Sequence, residues 1–180
     1  IINDFINMNP STPATLTLRG AYPTFKFIQT NALLRGLDLS VQKTINAHLS
    51  TSAKTALLWA TDRKTNDWLI QMPANRVEGE FTYSFNSNAL KNAAIELRLL
   101  HMMQQTRIPK NIPDYLPPPA AYNLLNVDFN TDLMLGKQTI NLGVAVLNLL
   151  NERYRDYMNR FRYFNDEPGR SINLRCKIKL

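Results

Sequence analysis

Apolar and polar residues alternate one by one along several segments of this sequence. In the last ten residues the apolar positions are Ile172, Leu174, Cys176, Ile178 and Leu180. Residues 76–85 repeat the pattern without an error. A period of two is that of a β-strand with one apolar and one polar face. The sequence therefore predicts an all-β chain whose strands face two different environments.

The links between such segments alternate in length. Eight strands are predicted, at Ile1–Met8, Thr30–Lys43, Leu49–Thr61, Arg76–Phe85, Ala93–Met103, Ala121–Thr131, Gln138–Leu149 and Ser171–Leu180. Their links run long, short, long, short, long, short, long, and a soluble β-sandwich has no reason for such a rhythm. Transmembrane barrels have short periplasmic turns and long extracellular loops, and strands of about ten residues suit a tilted crossing of the bilayer. The pattern predicts an antiparallel transmembrane β-barrel.

Composition is compatible with a barrel and argues against other classes. No run approaches the roughly 18 apolar residues of a membrane helix, which excludes helical spans only, because barrel strands are short and half polar. The formal net charge of +7 comes from Lys and Arg residues that are scattered without a basic block, so nucleic-acid binding is not expected. The single cysteine, Cys176, excludes an internal disulfide framework.

No arrangement of residues suited to catalysis or metal binding stands out. The two histidines, His48 and His101, fall at opposite strand ends and cannot share a metal ion. Met102 and Met103 are possible ligands for a soft metal, although packing at a membrane rim is the commoner use of methionine. The chain is therefore predicted not to be an enzyme, and neither a cofactor nor a metal site is expected.

Four stretches carry a specific set of motifs. They are NLLNERYRDYMNRFRYFNDEPGR with the start of the last strand (residues 148–175), TLRGAYPTFKFIQTNALLRGLDLS (residues 17–40), DWL with MPANR (residues 67–76), and QTRIP with DY and PPP (residues 105–119). These stretches resemble the C-terminal part of the TonB-dependent outer-membrane receptors, the plugged barrels that import scarce nutrients. One departure is Leu180, because the family usually ends in an aromatic residue that helps the assembly machinery to recognise the last strand.

The resemblance implies that residues 1–180 are the C-terminal portion of one barrel domain, the last eight of about 22 strands. The plug domain, the earlier strands and the segment that contacts the TonB complex are then expected outside this chain. It also implies a place in the bacterial outer membrane, among lipid and lipopolysaccharide, and the import of an iron complex such as a siderophore or haem. Cobalamin, copper or an oligosaccharide as cargo would leave the same barrel pattern. A non-transporting barrel acting as an adhesin or structural surface protein, and a secreted soluble β-domain, are the alternatives.

Aromatic and cationic residues in the predicted extracellular loops are the candidates for ligand binding. They are Tyr22, Phe25, Phe27, Trp68, Arg107, Tyr115, Tyr154, Arg155 and Arg162. Such residues hold an anionic, aromatic-bearing iron chelate by stacking and by charge-assisted hydrogen bonds. The alternative for the fourth loop is structural: its Arg and Asp residues pair with each other to fold the loop.

Overall fold

The structure, a computed structural model, describes residues 1–135 and 138–179. In this part of the chain there are ten strands: β1 (Ile2–Pro10), β2 (Thr15–Thr17), β3 (Gly20–Tyr22), β4 (Phe25–Thr44), β5 (Leu49–Asp62), β6 (Arg76–Phe85), β7 (Lys91–Met102), β8 (Tyr122–Leu135), β9 (Gln138–Leu147) and β10 (Ser171–Lys179). A single turn of 3-10 helix spans Arg160–Tyr163. Among the described residues no helix has both the length and the apolar character needed to cross a membrane.

Eight of these strands form one antiparallel sheet in the order β1-β4-β5-β6-β7-β8-β9-β10. Each strand of the sheet pairs with the next one along the chain, which is the simplest topology that alternating strands can adopt. The short strands β2 and β3 pair with each other in a separate hairpin. The predicted all-β, antiparallel arrangement of eight strands is confirmed.

Because successive strands run in opposite directions, the connections alternate between the two ends of the sheet. Four long connections lie at one end and are named here loop 1 (residues 11–24), loop 2 (residues 63–75), loop 3 (residues 103–121) and loop 4 (residues 148–170). Short links at residues 45–48 and 86–90 lie at the opposite end. The third predicted short turn, Asp132–Lys137, is strand up to Leu135, and residues 136–137 lie outside the described part, as does Leu180.

One face of the sheet is apolar and uncovered. Phe81, Leu97, Val127, Val146 and Ile172 are successive Cα partners across β6 to β10, so they form one apolar row. Phe81 and Ile172 remain 53% and 65% exposed. An apolar sheet face of this extent is not found against water in a soluble monomer, so it requires an apolar partner outside this chain.

The opposite face is polar, as the alternation predicts. Lys54 of β5 is the Cα partner of Glu78 of β6, and Glu80 of β6 is the Cα partner of Arg98 of β7. Four of the described ion pairs lie on it: Lys54–Glu78 (3.7 Å), Arg98–Glu80 (3.4 Å), Arg98–Glu96 and Arg175–Asp128 (3.1 Å). The side chains of these pairs are partly exposed, so water screens them and each contributes little to stability. This face is suited to an aqueous or polar surrounding.

Two strand boundaries differ from the prediction by four or five residues, and the others differ by two at most. β4 begins at Phe25, five residues before the predicted start, because β1 extends to Pro10 and pairs with it there. The prediction that Phe25 and Phe27 lie in the first loop was therefore wrong. At the other end β8 continues to Leu135, where it pairs with Gln138 of β9.

Candidate functional site

The four long loops are packed together at one end of the sheet, and loop 2 is the most deeply placed. Leu69 packs against Ala32 of β4 and Ala60 of β5, and all three side chains are buried. The two alanines lie on the polar face of the sheet, where their small side chains let the loop backbone approach closely. The Leu69 amide donates to the Ala60 carbonyl at 3.0 Å. Loop 2 therefore folds over the polar face.

A buried ion pair joins loop 4 to loop 3. The 3-10 helix at the tip of loop 4 presents Arg162, which is only 2% exposed, to the carboxylate of Asp114. The Arg162 guanidinium also lies 4.8 Å above the ring of Tyr157 and 4.5 Å above the ring of Tyr163. A buried guanidinium is tolerated only when its charge is paired and its N–H groups are satisfied. Arg162 is thus held by loop contacts.

Three aromatic rings extend this contact to loop 1. Phe25 and Tyr115 meet edge to face at 5.9 Å, and Tyr115 and Tyr163 do the same at 5.9 Å. The Tyr115 hydroxyl lies 2.7 Å from the Ser11 carbonyl oxygen and 2.8 Å from that of Thr24. Loops 1, 3 and 4 therefore meet at one aromatic cluster, which we call the loop junction: Phe25, Tyr115, Tyr157, Tyr163, Asp114 and Arg162.

The electrostatics of the loop junction keep the hydroxyls of Tyr157 and Tyr163 neutral. The Tyr163 hydroxyl donates to the second oxygen of Asp114 at 2.7 Å. Burial and this hydrogen bond to a carboxylate raise the pKa of Tyr163 above its ordinary value. Burial also raises the pKa of Tyr157, whose hydroxyl accepts from the Gln71 amide of loop 2 at 3.4 Å. These groups act as hydrogen-bond donors and acceptors rather than as titrating groups.

Within loop 4 the Arg and Asp residues pair, as the structural alternative for this loop expects. Asp166 accepts from Arg155 at 2.7 Å and from Arg153 at 2.8 Å. The two hydrogen bonds lower the pKa of Asp166, because they stabilise its charged form. Arg155 also donates to the Arg162 carbonyl at 2.8 Å and so braces the 3-10 helix.

Of the nine predicted ligand-binding residues, the structure brings Phe25, Tyr115 and Arg162 together at the loop junction. Two others are isolated and exposed. Tyr22 lies on the β2–β3 hairpin, where its hydroxyl donates only to the Arg19 carbonyl, and Phe27 is 75% exposed on β4.

The remaining four predicted residues lie in loops 2, 3 and 4, outside the loop junction. Trp68 is half-buried in loop 2, and Arg155 is engaged by Asp166 as described above. Arg107 donates to the Asn75 side chain and lies 5.3 Å above the ring of Trp59. The ring of Tyr154 packs at 4.4 Å from that of Tyr122. The nine residues therefore do not form one pocket, and their contact with a ligand stays a prediction.

Several residues that hold the loops together were not singled out from the sequence. Gln105 is buried and donates to the carbonyls of Met72 and Pro73 at 2.8 and 3.0 Å, which ties loop 3 to loop 2. Asp114 sits immediately before Tyr115 in the DY motif, and its charge in a proline-rich loop is the signal that points to it. The described residues hold no group of three His, Cys, Asp or Glu residues suited to a metal ion.

Comparison with known proteins bears on the fold. No protein-family model and no curated protein matches this chain. Among solved structures, the chain is similar to the copper transporter OprC with a TM-score of 0.71 at 16% sequence identity. The likeness covers 94% of this chain and 26% of that one, so the chain spans about a quarter of the length of the structure it resembles. At this identity the likeness establishes the fold alone, and it agrees with the prediction that the eight-stranded sheet is part of a larger β-barrel.

Proposed function

We propose that this chain is the C-terminal part of a TonB-dependent outer-membrane receptor that imports a scarce nutrient, with an iron complex such as a siderophore or haem as its cargo. The observation that carries the proposal is the combination of an uncovered apolar face, a polar face with ion pairs, and four long loops packed at one end of the sheet. The plug, the remaining strands and the contact with TonB would belong to the rest of the protein.

The placement in the membrane follows from the two faces. The apolar face meets the lipid, and the polar face lines the lumen, as in barrels that enclose a channel or a plug. Aromatic side chains mark both edges of the apolar band: Tyr83 and Phe85 lie near the short turns, and Trp59 lies near the loops. Loops 1 to 4 then face the outside of the cell.

In this arrangement the residues of the loop junction hold the loops in place. The exposed aromatic side chains on those loops then form the binding surface. Tyr22 and Trp68 have ring surface available for stacking, whereas Tyr115 and Arg162 are used in holding the loops. Arg107 supplies a cation whose partner is a neutral amide, Asn75. Stacking and charge-assisted hydrogen bonds of this kind suit an anionic, aromatic chelate.

Ligands that co-purify with the full-length receptor from native outer membranes identify the cargo. We expect mass spectrometry to find an iron chelate or haem. An oligosaccharide or cobalamin would overturn the iron proposal while leaving the transporter intact. A protein that carries no ligand and supports no uptake in cells with a working TonB complex would favour the non-transporting barrel, an adhesin or structural surface protein.

A loop variant tests the exposed aromatic surface. Replacing Tyr22 by alanine should weaken binding of the co-purified chelate about tenfold, because one stacking contact is lost. Phe164, an exposed aromatic of loop 4 that is not a candidate, provides the matched control when it is replaced by alanine. Isothermal titration on the two purified variants measures the difference, and equal affinities would remove Tyr22 from the binding surface.

A soft metal ion is a second candidate cargo. Met102, Met103 and Met158 line a cavity of about 30 Å³ between the loop end of β7 and loop 4. This volume admits an ion with few waters and excludes an organic chelate. Thioether sulfur selects Cu(I) among the biological metals. One solved structure that this chain resembles is that of a copper transporter.

Leucine substitution tests the methionine site, because it removes the sulfur and nearly conserves the volume. The Met102→Leu/Met158→Leu variant should bind Ag(I), a redox-inert analogue of Cu(I), at least about tenfold more weakly. Met134→Leu serves as the control, since Met134 is exposed near the opposite end of the sheet. Competition with a chromophoric chelator measures the affinities, and a double variant that binds as well as the control would remove this candidate.

A further inference from the structure

A cation, Arg35, interrupts the apolar face of the sheet toward its loop end. Arg35 lies on β4 directly opposite Trp59 of β5, with Leu33 and Leu37 before and after it on the same face. Its side chain is exposed. Within the described residues the Arg35 guanidinium makes neither an ion pair nor a hydrogen bond. An uncompensated charge on a face that meets lipid requires a reason.

The position of Arg35 along β4 explains in part why a charge is tolerated on this face. Arg35 lies nine residues before the end of β4 at Thr44, and Trp59 lies ten residues after the start of β5 at Leu49. A tilted transmembrane strand crosses the bilayer in about 9–11 residues. If the short turns lie at the inner boundary, both residues reach the outer interface. An arginine on the lipid face costs little there, whereas it costs about 2–4 kcal/mol at the midplane.

The surroundings of Arg35 form an open groove. The groove has a volume of about 510 Å³ and is lined by Leu33, Arg35, Trp59, Thr61, Asn66 and Trp68. Its described lining includes no carboxylate. The groove therefore holds one cation, Arg35, beside the Trp59 ring, and both side chains belong to the apolar face.

We propose that this groove binds the phosphate-bearing headgroup of an anionic lipid in the outer leaflet. Arg35 makes the phosphate contact, for which the planar guanidinium offers two parallel N–H donors. Trp59 packs against the apolar part of the lipid, as aromatic residues do at membrane interfaces. Imported nutrient is not the occupant, because Arg35 lies on the face opposite the ion pairs of the polar wall. The proposal rests on the membrane placement given above.

Lipid retention by the intact protein tests the site. The protein is reconstituted into nanodiscs of phosphatidylcholine with either lipopolysaccharide or phosphatidylglycerol, and retained lipid is counted by native mass spectrometry. We expect selective retention of the anionic lipids, and Arg35→Gln should lower their affinity about fivefold. The matched control is Arg76→Gln, since Arg76 also has an unpaired side chain in the described structure but belongs to the polar face.

Three results would overturn the proposal. One is equal retention of phosphatidylcholine, which would mean that the groove does not select charge. Another is an equal loss of anionic lipid in the two arginine variants. The third is competition by inorganic phosphate in detergent as effective as that by lipid, which would assign the groove to a free anion. Recovery of the protein outside the membrane fraction is a separate result, and it would remove the proposed function rather than only this site.

Discussion

Replacing Asp114 by alanine is expected to separate loop 3 from loop 4 at the loop junction. The substitution should lower the free energy that holds these loops together by about 3–5 kcal/mol. The reason is that Arg162 keeps its charge after the substitution, while it is almost fully buried and loses its only carboxylate partner among the described residues. Tyr163 loses the acceptor of its hydroxyl at the same time. Hydrogen exchange of loops 3 and 4 in the membrane-inserted protein measures the effect as a loss of protection.

Two further variants show whether the buried charge is the cause. Asp166→Ala removes a carboxylate that also binds arginines, but in partly exposed pairs that water screens, so loop protection should fall much less than in Asp114→Ala. The double variant Asp114→Leu/Arg162→Met removes both charges, and it should recover most of the protection that Asp114→Ala loses. If Asp114→Ala behaves like Asp166→Ala, the buried pair does not hold the loops.

Placing arginine at Leu97 is the second substitution with a large expected effect. Leu97 lies near the middle of β7 on the apolar face, and a cation at the bilayer midplane costs about 2–4 kcal/mol. The Leu97→Arg variant should therefore unfold from lipid vesicles at a lower urea concentration than the parent protein. The shift of the urea midpoint, followed by electrophoretic mobility without heating, measures the cost.

Thr82 offers the matched control for Leu97. It lies at a similar height on β6, but its Cα partner Glu96 places it on the polar face. Thr82→Arg puts the same cation beside a carboxylate in a watery lumen, so the urea midpoint should stay nearly constant. Equal shifts in the two variants would mean that the apolar face does not meet lipid, and extraction of the parent protein without detergent would then support a soluble β-domain.

The strands and their faces were predictable because the signal is local. The side-chain period of a strand is two, so every residue from Arg76 to Phe85 reports its own face independently of the rest of the fold. Strand ends were less predictable. Phe25 and Phe27 follow Pro23 in a polar segment that reads as a loop, and only the pairing of Pro10 with Phe25 extends the strand through them. Such pairing depends on a distant segment.

In the candidate site, too, one part was predictable from the sequence and another part was not. Residue type was enough to nominate Tyr115 and Arg162 as exposed loop residues with recognition chemistry. Their observed partners come from elsewhere in the chain: Arg162 meets Asp114 across 48 positions, and Tyr115 meets Thr24 across 91. Proximity between loops is created by the sheet, which brings the ends of four hairpins together. Nothing in the composition of loop 4 distinguishes a buried arginine from an exposed one.

The amino-acid sequence alone thus determines an all-β chain with one apolar face, one polar face and long loops at a single end, because each of these follows from short-range periodicity and link length. Tertiary structure alone decides which loop residues hold the loops and which remain available to a ligand. It also leaves Arg35 unpaired beside Trp59 on the apolar face. The physical reason is that burial and charge pairing are properties of neighbours in space, and here those neighbours are separated by tens of residues along the chain.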